Sequence, residues 1–195
     1  MASTHKRWAV GVAIIVCLTL TGCTSFLAES RVHALQCFGV QLPPIEKAMG
    51  QVVSTTTSPQ EAAAKIAAGD MNIGYMFPTP LPADSTLPGS FFIIPRDIRA
   101  LSSSVVMDVA VGCMGSSGGG DFGARTNLYT CLRYSAEVPA TGKISISDAP
   151  CPPDIQPLID ANPEYEKVTA KDIPYLANRA QAGSRFQNPT RSESL

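Results

Sequence analysis

Val105-Val106-Met107-Asp108-Val109-Ala110-Val111 is the stretch that decides the fold. Val105, Met107, Val109 and Val111 alternate with Val106, Asp108, Ala110 and Gly112. Period two puts one set on one face of a strand and the other set on the opposite face. The pattern returns twice. Leu128, Leu132 and Tyr134 alternate with Tyr129, Cys131 and Arg133, and Ile144 and Ile146 alternate with Lys143, Ser145 and Ser147. "VPATGK" (Val138–Lys143) between the last two runs has hairpin chemistry. Three consecutive strands joined by short turns predict an antiparallel meander over about residues 104–149. In its first hairpin Asp108 falls diagonal to Arg133, which suits an ion pair on the outer face.

Helical signals dominate the chain before the meander. Leu27, Arg31, Ala34, Leu35 and Phe38 follow helical spacing, with Ser25 as a cap and Pro43-Pro44 as the stop. "PIEKAMGQVV" (Pro44–Val53) reads as a second helix. Ser58-Pro59-Gln60-Glu61 then opens a third, with a capping serine, a proline at the first helical position and a glutamate three residues on. Gly69 supplies its stop. From Met71 to Pro95 prolines are too dense for a long regular element. "FFII" (Phe91–Ile94) is the one short strand expected there. Beyond the meander two short helices are expected, near Asp154–Ala161 and Asp172–Arg179. The fold class is α+β, with N-terminal helices packed on a small antiparallel sheet.

The first residues have a different character. Lys6 and Arg7 are the only charges before Glu29, and Trp8–Leu20 is an uncharged run of 13 residues. A basic start, a short apolar run and a small-residue site is the plan of a secretory signal peptide. Leu20-Thr21-Gly22-Cys23 follows. These four residues resemble the lipobox of bacterial lipoproteins, in which the cysteine is diacylated and the chain is cut just before it. The resemblance covers the first 25 residues or so and implies a lipid on Cys23. The rival is an uncleaved spanning helix over Trp8–Ala28. Both leave the chain after Cys23 on the extracytoplasmic side, because Lys6 and Arg7 stay inside. The expected division is a signal peptide at 1–22, one domain at 23–180 and a disordered polar tail at 181–195. No spacer separates Cys23 from the first helix, so the domain is expected close to the membrane surface.

Without residues 1–22, Cys37, Cys113, Cys131 and Cys151 remain beside Cys23. An even four in an oxidising compartment predicts two disulfides. No Cys-x-x-Cys spacing favours zinc instead. Four cysteines allow three connectivities. Folding the chain at Ala140-Thr141 brings Cys131 and Cys151 to one face of the meander, which favours that pair and leaves Cys37 with Cys113.

Other chemistry is thin. Lys and Arg are scattered, and the mature net charge is about −3, so no nucleic-acid partner is expected. Gly115-Ser116-Ser117-Gly118-Gly119 matches Gly-x-Ser-x-Gly in letters. It lacks the helix and the following histidine that a nucleophile elbow needs, because His33 is the one histidine of the mature chain and precedes it. No metal-ligand spacing and no cofactor motif occur. Glu164 and Glu166 read as a solvated pair. The expected role is a binding or accessory module of the cell envelope, engaging an envelope protein or small ligand through the sheet's concave face or the proline-rich segment. The alternatives are an envelope enzyme using carboxylates such as Asp108, Asp121 or Glu164, and a shielding surface protein.

Overall fold

The computed structural model describes residues 4–71, 73, 87, 91–118, 123–139 and 143–185, with side chains described from Ser25 to Ala180 within those ranges. The order is α1 (Thr4–Ser54), α2 (Pro59–Ala67), β1 (Phe91–Ala100), β2 (Ser104–Ser117), β3 (Ala124–Glu137), β4 (Ile144–Asp148), α3 (Gln156–Asp160), β5 (Tyr165–Lys167) and α4 (Pro174–Arg185), with a 3-10 turn at Ala170–Asp172 before α4. The architecture is α+β, as the sequence predicts. β1 to β4 form an antiparallel meander in sequence order, and β5 joins β3 in parallel.

α1 corrects the reading of the N-terminal half. It is one helix, with Ser25, Pro43 and Pro44 inside it. A proline within a helix removes one hydrogen bond and crowds the carbonyl four residues back, at a cost of about 3 kcal/mol. Here those carbonyls belong to half-buried Gly39 and exposed Val40, where water can take the lost bonds. Phe38, Leu42, Ile45 and Met49 recur on the opposite side and are wholly buried. Each such side chain contributes roughly 2 kcal/mol by leaving water. The buried stripe on both sides of the prolines holds the helix together.

That stripe lies along β2 and β3. Val105, Met107, Val109 and Val111 of β2 and Leu128, Leu132 and Tyr134 of β3 form the inner sheet face, and all are buried against α1. The two layers approach closely at Gly115. A Cβ there would stand well inside 3.0 Å of Ser30 O and Ala34 N, both backbone atoms of α1. Beside this contact Ser117 Oγ donates to Phe26 O, and Ser30 Oγ is 2.6 Å from Thr126 Oγ1. The Cys37–Cys113 disulfide joins helix to strand two residues further along β2. The glycine that resembled part of a catalytic elbow is a packing position.

β1 is longer than "FFII" suggests, and it adds a fourth strand outside the 104–149 range. It pairs with β2 from Phe91↔Cys113 to Ala100↔Val105, with an irregularity between Arg96 and Arg99. Asp97 there takes φ 49°, the left-handed region that Asp tolerates better than most residues. Pro95 fits because β1 is an edge strand, where a missing N–H breaks no ladder bond if it faces outward. α4 runs to Arg185, five residues into the stretch read as a tail, and 186–195 lie outside the described residues. Most of the proline-rich segment also lies outside them.

α2 begins as its sequence predicts. Glu61 N donates to Ser58 Oγ at 3.2 Å, and Pro59 occupies the first turn. The glutamate reaches one residue further back than a standard capping box, because its Oε2 accepts from Thr57 N at 3.0 Å. That backbone bond, followed by the Lys65 contact, holds the Glu61 carboxyl below its ordinary 4.5. A depressed folded-state value means the contribution is present above the ordinary value and is lost as pH falls through the depressed one.

Two expectations follow. Gly115→Ala drives a methyl into the α1 backbone and lowers the unfolding free energy by about 3 kcal/mol. Gly50→Ala meets only Ile144 Cδ1 at 3.7 Å, and it changes stability by less than about 1 kcal/mol. Urea unfolding of the oxidised protein separates them, and equal midpoints would refute the close approach. Protection factors of α2 amides, taken relative to the intrinsic exchange rate at each pH, fall as pH drops through the depressed Glu61 titration, and Glu61→Gln removes that acid dependence.

Candidate functional site

Strand register turns the outer sheet face into rows. Phe92, Gly112 and Tyr129 make one row, Ile94, Ala110 and Cys131 the next, and Arg96, Asp108 and Arg133 the third. The first two rows are apolar and covered. Phe92, Ile94, Ala110, Tyr129 and Cys131 pack with Ile155, Ile159 and Tyr165 from the segment after β4. Gly112 has no side chain because the Phe92 ring occupies that space. Tyr165 of β5 lies with its ring centroid 5.9 Å from that of Phe92. The Cys131–Cys151 disulfide fastens this cover at its edge, and Ala149 N donates to Cys131 O at 2.9 Å. Both disulfides follow the pairing favoured by the sequence.

The cover stops at the charged row. Asp108 sits directly opposite Arg133, rather than diagonal to it. Arg133 Nε and Nη2 donate to Asp108 Oδ1 and Oδ2 at 2.7 and 2.8 Å, a two-bond fork. Asp108 is only 8% exposed and Arg133 39%. The hydrogen bond to Asp108 pushes the Arg133 guanidinium above its already high ordinary value. Arg99 Nη2 stands 3.6 Å from Asp108 Oδ2, and Arg99 also pairs with Asp97. Arg96 Nε donates to Asp154 Oδ2 at 2.7 Å. Arg96, Asp97, Asp108 and Arg133 border an open cleft of about 480 Å3 together with the Pro150–Asp154 segment.

The face continues in hydroxyls. Val106, Ser135 and Ser145 form the next row, and Ser104 lies opposite Glu137. Ser103, Ser104, Ser135, Glu137, Lys143 and Ser145 line a second depression of about 360 Å3. The uncovered half of the outer face therefore offers forked cations, carboxylates and hydroxyls side by side. Such groups suit hydrogen-bonded recognition of a polar ligand.

Acid–base catalysis is poorly served here. Both oxygens of Asp108 already accept from Arg133. Glu166 pairs with Arg31 of α1, while Glu164 is exposed, so the two glutamates do not converge. They flank a buried tyrosine on a strand, not on a helix face. Asp121 lies outside the described residues. His33 Nδ1 is 2.6 Å from Ser116 O and meets no serine hydroxyl among the described residues. No group of three or more His, Cys, Asp or Glu among the described residues is placed to hold a metal ion. Cys23 lies on the α1 backbone, its side chain outside the described set. Arg96, Arg99, Asp154 and the serine rows escaped the sequence reading. Continuing the alternation of Phe92 and Ile94 through Pro95 to Arg96 was the available signal.

A second polar cluster lies on the inner side. Tyr175 Oη donates to Glu46 Oε1 at 2.8 Å, and Arg179 Nη1 stands 2.6 Å from Glu46 Oε2. Burial, and then the Glu46 bond, pushes the Tyr175 phenol up to about 12. Tyr134, wholly buried beneath the cluster, is pushed higher still by burial. These contacts pin α4 to α1.

No protein-family model matches the chain, and searches of curated proteins and of solved structures return no match.

The Asp108–Arg133 pair gives a sharp test of the face. Arg133→Leu takes both hydrogen bonds from nearly buried Asp108, leaving it only the longer 3.6 Å contact with Arg99, and costs about 2 kcal/mol. Asp108→Leu with Arg133→Leu recovers more than half of that, since neither charge is then stranded. Additive losses in urea unfolding would contradict the forked pair.

Proposed function

We propose that this chain is a membrane-anchored extracytoplasmic lipoprotein and that its domain is a binding or accessory module of the cell envelope. One observation carries the reading. Leu20-Thr21-Gly22-Cys23 stands where a basic start and a 13-residue apolar run end. Cys37, Cys113, Cys131 and Cys151 are all consumed in disulfides, so Cys23 is the one cysteine of the mature chain left for acylation. Two disulfides also suit an oxidising compartment. In this reading the Cys23 thiol takes a diacylglycerol, the chain is cut before it, and the new amino group takes a third acyl chain such as palmitate. Two or more chains hold stably in a bilayer, where one is marginal. Among the described residues no helix is long and apolar enough to cross a membrane.

The binding role rests on the uncovered half of the outer sheet face. Asp97, Asp108 and Asp154 are engaged by arginines, while the hydroxyls and the Lys143 and Glu137 side chains line an open depression. A polar envelope component is the partner this chemistry fits.

The anchor is tested by the mass of the protein extracted from membranes. The expected product lacks residues 1–22 and carries diacylglycerol on Cys23. Cys23→Ser accumulates as the full-length precursor. A wild-type protein that keeps residues 1–22 overturns the lipid anchor in favour of the spanning helix.

A further inference from the structure

Granting the lipid on Cys23, we infer which end of the domain meets the bilayer: the β2–β3 hairpin end faces the lipid headgroups, and the charged cleft points away from them. Phe26 lies three positions after Cys23, and its carbonyl accepts from Ser117 at the end of β2. Fully extended, three residues span about 10 Å, and as helix about 4.5 Å. The acyl chains are therefore rooted within that distance of the hairpin end.

The link cannot swing open. Gly115 packs against the backbone of Ser30 and Ala34, Ser30 meets Thr126, and the Cys37–Cys113 bridge closes the same helix–strand contact. Moving α1 away from β2 at Cys37 requires breaking a covalent bond, and moving its earlier turns requires giving up the Ser117–Phe26 and Ser30–Thr126 hydrogen bonds and the Gly115 packing. α1 is also unbroken from Thr4 to Ser54, so no turn or linker lies between the anchor and the clamp. Leu27, 55% exposed, adds an apolar side chain at this end.

The cleft lies at the other end of the same strands. From Ser117 back to Asp108 is nine residues of antiparallel strand, about 30 Å. Ser145 lies one row further. A domain held at the hairpin end thus presents the cleft to a partner standing off the membrane. The competing pose lays the outward side of α1 on the bilayer, through Val32 and Val40, 50% and 69% exposed. Exposed Gln36 stands between those valines, and no cluster of basic residues accompanies them, so that side lacks what holds an interfacial helix.

The test uses the full processed lipoprotein in phosphatidylethanolamine–phosphatidylglycerol vesicles. A benzophenone amino acid replaces exposed Arg125, Val40 or Ser145, one at a time, and lipid adducts are counted by mass after irradiation. Arg125 lies at the hairpin end, opposite Ser116. The expected lipid labelling at position 125 exceeds that at 40 and at 145 by about tenfold, as an offset of about 30 Å along β2 requires for the latter. Labelling at 40 equal to that at 125 overturns the upright pose, and stronger labelling at 145 inverts it. The N-terminal peptide of the same sample is weighed. An acylated Cys23 with either of those patterns refutes the orientation alone, whereas an unacylated Cys23 refutes the lipoprotein reading with it.

Discussion

The contact of α1 with β2 at Gly115 is the constraint on which the remaining structure depends. Helix and strand can come this close only where the strand has no side chain. Once they do, the parity of β2 is settled, because Gly115, Cys113 and Val111 must all face the helix. Cys113 is then in reach of Cys37, and the apolar alternation continues down to Val105. A one-residue slip would turn Asp108 into the core and Val109 out of it. The glycine, the disulfide and the apolar pattern each select the same register, and that agreement among local choices is what gives a sequence a single fold.

Parity also explains the outer face. Positions facing away from α1 run from Phe92, Gly112 and Tyr129 at one end to serines at the other, with the Arg96–Asp108–Arg133 row between. The segment after β4 covers only the apolar rows, and Cys151 anchors it where they end. The charged row is thus a border. It separates a buried patch from hydroxyls open to water. A forked guanidinium suits that border, since it satisfies a nearly buried carboxylate on one side and remains hydrated on the other.

Much of this was legible in the sequence. Period two exposed β2, β3 and β4, the Ser58 cap exposed α2, and the meander brought Cys131 to Cys151. Prolines caused the principal misreadings. Pro43 and Pro44 break an isolated helix, but a helix with a buried stripe on both sides of them tolerates the loss where the freed carbonyls meet water. Pro95 argues against a strand unless the strand lies at a sheet edge, which is a property of the whole sheet. Without Pro95 in β1, Arg96 could not be placed beside Asp108, so the charged row appeared as a single pair. β5 is three residues long and pairs in parallel, and no local pattern announces so short an element.

The Cys37–Cys113 bridge has a consequence for how the molecule wears. It joins positions 76 apart in sequence, and the ring so closed contains the whole proline-rich stretch. A single protease cut anywhere between the two cysteines yields two chain fragments but one molecule, held by a sulfur bond packed in the core between α1 and β2. A cut within that ring therefore need not release the sheet from its helix. Only reduction together with cleavage separates them, so a nicked domain stays in one piece.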